Sequence, residues 1–475
     1  MSLDKLSSFA RHELAQLNFP PANWVPPTDG PDGAPLLDVL VVGGGMCGQT
    51  ATFALMREGL RNIRCVDREP RGREGPWATF ARMDILRSPK HLTGPDLGVA
   101  SLTYRAWHEA KYGLEHWEKL HKIARLDWAA YLLWVRDTVQ LPVENEVEVT
   151  SLDLQLKFVR AMVNGKAVHA KKIILALGRE GSGALRWPEF ETFNPDNRGA
   201  RVFHSADDID FKALKDKRIG ILGAGSSAFD NAGEALDAGA AEVVMFARRP
   251  QLPQVNKSKW TAFPGFQHGY AALDDASRWR FYTYIFGEQV PPPYESVLRC
   301  EKHKGFSLRF SEGWKDIEEK DELRITTSKG QYVFDAVIVC TGFDVNLMDR
   351  PEIASFRDAI ETWRSRVSKE EAEKFPEEAR FPYLGDAFQL RGKAEGLERV
   401  HVFNWGATMS HGALSGDIPG IEIGANRLAQ GVARDLFLED ADLHYRKLLD
   451  HNEDELKATR YFVNLGSRLR GNDGN

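Results

Sequence analysis

The chain has few cysteines and no long apolar run. Its four cysteines are Cys47, Cys65, Cys300 and Cys340, and no two are spaced as Cys-x-x-Cys. This spacing argues against a redox-active disulfide. No apolar stretch reaches the roughly 18 residues that a membrane span needs, and residues 1–10 lack the apolar core of a signal peptide. We therefore expect a cytoplasmic protein with reduced thiols.

Positive charge is not in excess. The formal net charge is −6 and no run of Lys or Arg forms a basic surface, so a nucleic-acid partner is not expected. The hydrophobic share of 43% and the charged share of 27% are typical of a globular protein. With 475 residues, the chain is long enough for two or three domains.

Two glycine fingerprints lie 180 residues apart. Each follows a short apolar run and precedes a helix-forming segment, which predicts the strand, tight turn and helix of a dinucleotide site. The small residues of the first are Gly43, Gly45 and Gly48, and those of the second are Gly223, Gly225 and Ala228. A protein that holds two dinucleotides usually transfers electrons between them.

Each position of the fingerprint has a physical role. The first glycine permits the turn, the second lets the backbone approach a pyrophosphate, and the third must be small for helix and strand to pack. The pyrophosphate then lies on the free N–H groups of the helix, which in the second copy begins near Ser226.

The residues after the second strand of each unit distinguish the two ligands. Asp67 follows the strand of the first unit, where a carboxylate accepts from ribose hydroxyls and repels a 2′-phosphate. Arg248 and Arg249 occupy this place in the second unit and suit the 2′-phosphate of NADPH. The alternative is that both arginines are solvated loop charges.

The same order of elements occurs twice. A hairpin with Asn164-Gly165 at its turn leads into an apolar strand that ends at Gly178. A second hairpin, residues 322–334, leads into an apolar strand that ends at Thr341-Gly342. We predict an α/β fold with two Rossmann-like domains, the second inserted in the first.

The predicted boundaries follow from this repeat. Residues 1–35 are predicted to form an extension and linker, and residues 36–210 and 331–475 a domain for the first dinucleotide, FAD or NAD. Residues 211–330 form an NAD(P)H-binding domain with an insert at 250–301.

Five segments resemble the class B flavoprotein monooxygenases, which include flavin-containing, N-hydroxylating and Baeyer–Villiger monooxygenases. They are the first fingerprint, Gly75-Pro76-Trp77, Val202-Phe203-His204-Ser205, the second fingerprint with its arginines, and Cys340-Thr341-Gly342-Phe343-Asp344. The chain departs from the family signature at Arg198 and Ala200, which indicates a divergent branch. A bacterial FAD-dependent urate hydroxylase branch is suspected on general similarity.

The resemblance implies a reaction and its cofactors. FAD would accept a hydride from NADPH, or from NADH, and react with O2 to a flavin hydroperoxide that oxygenates a small organic substrate, possibly urate. Trp77 would lie beside the flavin, and no metal is expected. Two alternatives stay open: a reductase that passes electrons to a quinone or a protein, and a non-enzymatic FAD/NAD(P) sensor.

Four further residues are candidates for the site. Arg87 would contact the flavin or the nicotinamide, or be a structural ion-pair residue. His204 would line the gap between the domains, with or without a chemical role. His268, in the insert, would be catalytic or merely structural. Asp417, after the last strand, would border the flavin.

Overall fold

The structure of the chain, a computed structural model, describes residues 2–31 and 33–462. It forms two compact units, one up to Ala433 and the other from Arg434. The strands are β1 (Leu37–Val42), β2 (Ile63–Val66), β3 (Ile85–Pro89), β4 (Lys122–Ala124), β5 (Val143–Glu144), β6 (Val149–Leu154), β7 (Val159–Val163), β8 (Lys166–Leu175), β9 (Val202–His204), β10 (Arg218–Leu222), β11 (Glu242–Phe246), β12 (Phe306–Arg309), β13 (Trp314–Glu319), β14 (Leu323–Thr327), β15 (Gln331–Phe334), β16 (Ala336–Val339) and β17 (Val400–Val402).

Helices connect the strands and cover the sheets. They are α1 (Leu3–Gln16), α2 (Met46–Arg57), α3 (Tyr104–Tyr112), α4 (Leu114–Lys119), α5 (Arg125–Val139), α6 (Ser226–Asp237), α7 (Pro264–Gly269), α8 (Asp275–Glu288), α9 (Tyr294–Glu301), α10 (Lys369–Lys374), α11 (Thr408–His411), α12 (Ile418–Glu439) and α13 (Ala441–Asp450). The last turns of α12 and all of α13 belong to the second unit. Among the described residues, none of these helices is long and apolar enough to cross a membrane.

The first sheet is built around β1 and β8. Its order is β5-β2-β1-β8-β7-β6, and β17 also pairs with β8. The pairs among β5, β2, β1, β8 and β17 are parallel, whereas β6 and β7 form antiparallel pairs. The segment β1–α2–β2 is the βαβ unit that the first fingerprint predicts.

The second sheet is parallel throughout. Its order is β12-β11-β10-β16-β9, and β10–α6–β11 is its βαβ unit. One face packs against α6, and the other packs against the small antiparallel sheet β13-β14-β15. Because both faces are covered, β10 and β16 are buried apolar runs.

The chain leaves the first sheet after β8 and returns to it as β17, which pairs with β8. The predicted α/β fold with two Rossmann-like units, one inserted in the other, is confirmed. The predicted residue boundaries stay a prediction; β9 precedes residue 211 and β16 follows residue 330. Residues 463–475 of the predicted segment 331–475 lie outside the described residues.

The predicted turn at Asn164-Gly165 is confirmed, whereas the strand that follows it ends at Leu175, before the predicted end at Gly178. Asn164 and Gly165 both have positive φ, 46° and 74°, and connect β7 to β8 as a two-residue hairpin turn. The second strand of this hairpin and the apolar run that follows it form one continuous strand, β8. The last strand, β17, ends at Val402, and the chain bends at Asn404, whose Oδ1 accepts from the N–H of Gly406 at 2.8 Å.

Candidate active site

The first fingerprint forms a turn that excludes side chains. Gly43 has φ +105°, and a Cβ there would lie 2.5 Å from the carbonyl oxygen of Ala176. A Cβ on Gly48 would overlap the carbonyl oxygen of Gly43, so α2 and β1 pack at backbone distance. A Cβ on Gly45 would make only ordinary contacts, with Gly75 at 3.6 Å and with Glu74 at 4.0 Å.

The N-terminus of α2 is open to a ligand. The N-cap residue of this helix is Gly45, which has no side chain to accept a hydrogen bond from the first-turn N–H groups. These N–H groups are therefore available to an anion. The Asp67 carboxylate at the end of β2 accepts from the N–H groups of Gly44, at 2.7 Å, and Glu69, at 2.8 Å. Burial raises the pKa of Asp67. Each of its oxygens keeps a second lone pair, so the position fits a ribose-hydroxyl acceptor.

A buried ion pair supports the loop that carries Trp77. Glu74 and Arg136 of α5 are both buried, and Arg136 Nη1 donates to Glu74 Oε1 at 2.7 Å. Arg125 donates to the carbonyl oxygen of Trp77. The Nε1 of Trp77 is buried and has no hydrogen-bond partner within residues 2–31 and 33–462.

The second fingerprint repeats this geometry with more open space. Gly223 has φ +120°, and a Cβ there would lie 2.6 Å from the carbonyl oxygen of Cys340. A Cβ on Gly225 would meet nothing within 4 Å. Gly225 caps α6 without a side chain, and Ala228 is fully buried against the sheet. This N-terminus is therefore also free for an anion.

Two unneutralised guanidiniums follow β11. Arg248 is exposed and Arg249 is half-buried. Neither side chain forms a hydrogen bond or an ion pair with another described residue. Burial and the neighbouring charge of Arg248 lower the pKa of Arg249. A site with two adjacent, unpaired cations favours a dianionic ligand.

Arg87 of β3 contacts the second of the two Rossmann-like units. Its Nη2 donates to Ser226 Oγ at 2.6 Å and to the carbonyl oxygen of Pro291 at 2.9 Å. Ser226 is the first residue of α6, so Arg87 lies at the edge of the second fingerprint. Burial lowers the pKa of Arg87, and the carboxylate of Asp230 acts against this shift.

His204 is a packed, neutral residue. It ends β9 and is fully buried, with its ring centre 5.4 Å from that of Trp187. Its Nδ1 accepts from the N–H of Ala206 at 3.2 Å, and burial lowers its pKa. Nearby, Thr341 donates to the carbonyl oxygen of Arg186, and Gly342 has φ +80°.

His268 stands apart from these residues. It lies on α7 with an exposed side chain. Its imidazole forms no hydrogen bond, ion pair or ring contact with any other residue of the described chain. The structure therefore does not link His268 to Arg87 or to His204.

Asp417 lies within electrostatic reach of two arginines, Arg87 and Arg179. Burial raises the pKa of Asp417, and the guanidiniums of Arg179 and Arg87 counteract this shift. Arg179 comes directly after Gly178, at the end of β8, and lies over the ring of Trp405. Sequence reasoning missed Arg179; its place next to a strand-ending glycine was the available signal.

Within the described residues, no cluster of three or more His, Cys, Asp or Glu side chains suits a metal ion, and all four cysteines are buried and free. Two βαβ units of parallel strands, each with a glycine turn and a helix that lacks a side-chain cap, are typical of an oxidoreductase with two dinucleotide sites. Residues 40–262 match the family described as pyridine nucleotide-disulphide oxidoreductase.

One curated relative aligns over nearly the whole chain. The FAD-dependent urate hydroxylase of Xanthomonas campestris pv. campestris is 37% identical over 465 residues, which cover 96% of this chain and 97% of the relative. The chain belongs to the family of this hydroxylase. The predicted class of enzyme, a flavin-dependent monooxygenase, is confirmed.

Solved structures of low identity share the fold. The Kutzneria sp. 744 ornithine N-hydroxylase, described with reduced FAD, NADP+ and L-ornithine, has a TM-score of 0.65 at 14% identity and covers 84% of this chain and 100% of its own. The L-lysine 6-monooxygenase of Pseudomonas syringae has a TM-score of 0.64 at 16% identity, with 84% and 99% covered.

Proposed function

We propose that the protein is an FAD-dependent monooxygenase that uses NADPH and O2 to oxygenate a small heteroaromatic molecule, urate or a close analogue. Family membership supports the class of reaction and the choice of substrate. The observation that carries the proposal is the Arg87–Ser226 hydrogen bond of 2.6 Å. It brings β3, which lies in the segment predicted to bind FAD, into direct contact with the first residue of the helix of the second fingerprint, so the two dinucleotides would meet.

The residues of each fingerprint fit the cofactor that we assign to it. The first unit, predicted as residues 36–210 and 331–475, would hold FAD; the second, predicted as 211–330, would hold NADPH. When bound, FAD supplies hydride acceptance and O2 activation. We assign to FAD Gly43, Gly45, Gly48, Asp67, Trp77, Gly178 and Asp417. We assign to NADPH Gly223, Gly225, Ser226, Ala228, Arg248 and Arg249, with Arg87, Thr341 and Gly342 between the two.

The chain's own residues orient the ligands and neutralise charge. The open N-termini of α2 and α6 would each bind a pyrophosphate through backbone N–H groups. Arg87, with one guanidinium nitrogen on Ser226, would hold the nicotinamide end of NADPH. The buried, neutral His204 fits a packing role between the two Rossmann-like units better than a role in proton transfer. Because the four cysteines are free, we also place the protein in the cytoplasm.

Isotope labelling tests this function. The purified holoenzyme is supplied with NADPH, urate and ¹⁸O2, with a parallel reaction in H2¹⁸O and unlabelled O2 as the control. We expect one ¹⁸O atom from O2 in each product molecule, the other leaving as water, and one NADPH oxidised per product. Rapid NADPH oxidation with a quinone as acceptor, with no ¹⁸O in any product of urate, would instead identify a reductase. No turnover with either acceptor would favour a sensor.

A further inference from the structure

Arg179 is an unpaired guanidinium held in one orientation. Its Cζ lies 3.8 Å from the centre of the Trp405 ring, so the planar group lies over the indole. The side chain is exposed, and it forms no hydrogen bond or ion pair with residues 2–31 or 33–462. All of its N–H donors are therefore available to a ligand. An ordinary surface arginine lacks this fixed position, because its side chain samples many rotamers.

The Arg179 guanidinium is less well hydrated than an arginine in bulk solvent. Water reaches the side chain, but enough protein surrounds it that burial lowers the pKa of the guanidinium. The carboxylate of Asp417 acts on Arg179 and also on Arg87. Among the described residues, Asp417 forms no ion pair within 4.0 Å with either arginine, so the charge of Arg179 is not matched by a contact. A charge-assisted hydrogen bond gains strength in such a site.

The position of Arg179 in the fold also indicates a ligand. It follows β8, a central parallel strand, and ligands of open α/β sheets bind beyond the carboxyl ends of such strands. Trp405 reaches the same place from the turn after β17. It is held there by Asn404, whose Nδ2 donates to the carbonyl oxygen of Leu175 at 3.2 Å.

We propose that Arg179, lying over Trp405, binds the anionic edge of a flat heteroaromatic substrate and selects the anion over neutral analogues. The inference rests on the proposed function, because urate is an anion at neutral pH. The rigid fork of a guanidinium matches an edge with two adjacent acceptors. Replacing it should weaken binding of the anion about tenfold to hundredfold, the loss typical of one charge-assisted hydrogen bond.

The test compares Arg179→Gln and Arg179→Lys with Arg364→Gln in the holoenzyme. Arg364 is an exposed arginine without an ion pair among the described residues, which makes it a matched control. Equilibrium dialysis measures binding of urate and of hypoxanthine, a purine that is neutral at pH 7. FAD content and NADP+ affinity are measured on the same samples, and steady-state kinetics separate KM from kcat.

We expect Arg179→Gln to weaken urate binding and raise its KM, with kcat, hypoxanthine binding, FAD content and NADP+ affinity unchanged. Arg179→Lys should retain part of the urate affinity, and Arg364→Gln should match the unaltered enzyme. Unchanged urate affinity in Arg179→Gln would overturn the proposal. Loss of FAD or of NADP+ affinity would also overturn it, because Arg179 would then be a phosphate ligand.

The binding test of Arg179 and the ¹⁸O test of the proposed function can fail independently of each other. If urate binds through Arg179 but gains no ¹⁸O, the oxygenation is wrong and the role of Arg179 stands. If the product of urate carries ¹⁸O but Arg179→Gln binds urate normally, the oxygenation stands and the role of Arg179 is wrong. If the unaltered enzyme does not bind urate, the role of Arg179 falls with its substrate.

Discussion

Valine in place of Gly225 should weaken NADPH binding without unfolding the chain. A Cβ at this position meets no protein atom within 4 Å, and the backbone is extended, with φ −91° and ψ −172°. A β-branched residue adopts this conformation readily. Valine is a poorer helix N-cap than glycine, so the expected cost in the free energy of unfolding is up to about 1 kcal/mol.

The effect on the ligand should be larger. The valine methyl groups would occupy the space through which a pyrophosphate reaches the N–H groups of α6. Hydrogen bonds to a charged group contribute about 1.5–3 kcal/mol each, so losing one raises the Kd about tenfold to hundredfold. Thermal unfolding and titration with NADP+ separate the two effects, because the first reports the fold and the second the site.

Two other glycines provide the controls. Gly287, inside α8, also has open space at its Cβ, and Gly287→Ala should leave NADP+ binding unchanged without lowering the stability of the fold. Gly223→Ala should destabilise the fold itself, because φ is +120° and the Cβ would lie 2.6 Å from a carbonyl oxygen. A Gly225→Val protein that binds NADP+ within twofold of the unaltered enzyme would show that the N-terminus of α6 is not the pyrophosphate site.

Three further changes test other parts of the site. Replacing Arg248 and Arg249 by serine should raise the Kd of NADPH about tenfold to hundredfold and leave NADH nearly unchanged; equal losses for both coenzymes would contradict a 2′-phosphate contact. Glu74→Gln should lower the free energy of unfolding by about 3–5 kcal/mol in denaturant titrations, since Arg136 loses its buried partner; a loss below 1 kcal/mol would contradict this. Burial lowers the pKa of His411 from 6.5 to about 3, so only the unfolded chain gains a proton as pH falls from 6.5. Stability should therefore fall by about 1.4 kcal/mol per pH unit from this residue, and the pH slope of His411→Gln should be shallower by that amount.

The fingerprints were predictable because their constraint is local. A positive φ or a helix packed at backbone distance admits only glycine or a very small residue, whatever lies elsewhere in the chain. Gly43 and Gly223 therefore mark their turns in the sequence as clearly as in the structure. The acidic or basic residue after the second strand follows from the same βαβ geometry, which fixes the position of Asp67 and of Arg248.

Other features depend on contacts that sequence spacing does not encode. The residues after β17 are apolar and suit a strand, but the amide of Asn404 bonds the backbone of Gly406 and of β8 and bends the chain. Arg179 and Trp405 lie more than 200 residues apart and meet only because β8 and β17 are neighbours. Nothing in their local sequence predicts this contact.

The two kinds of unpaired guanidinium suit different ligands. Arg248 and Arg249 are adjacent cations on a loop, and two charges side by side favour a phosphate dianion over a singly charged ring. Arg179 is a single cation that lies over an indole. A flat monoanion with two adjacent acceptors can lie in the plane of that guanidinium and match its single charge. On the proposed assignments, the number of adjacent cations would therefore separate the coenzyme phosphate from the substrate anion.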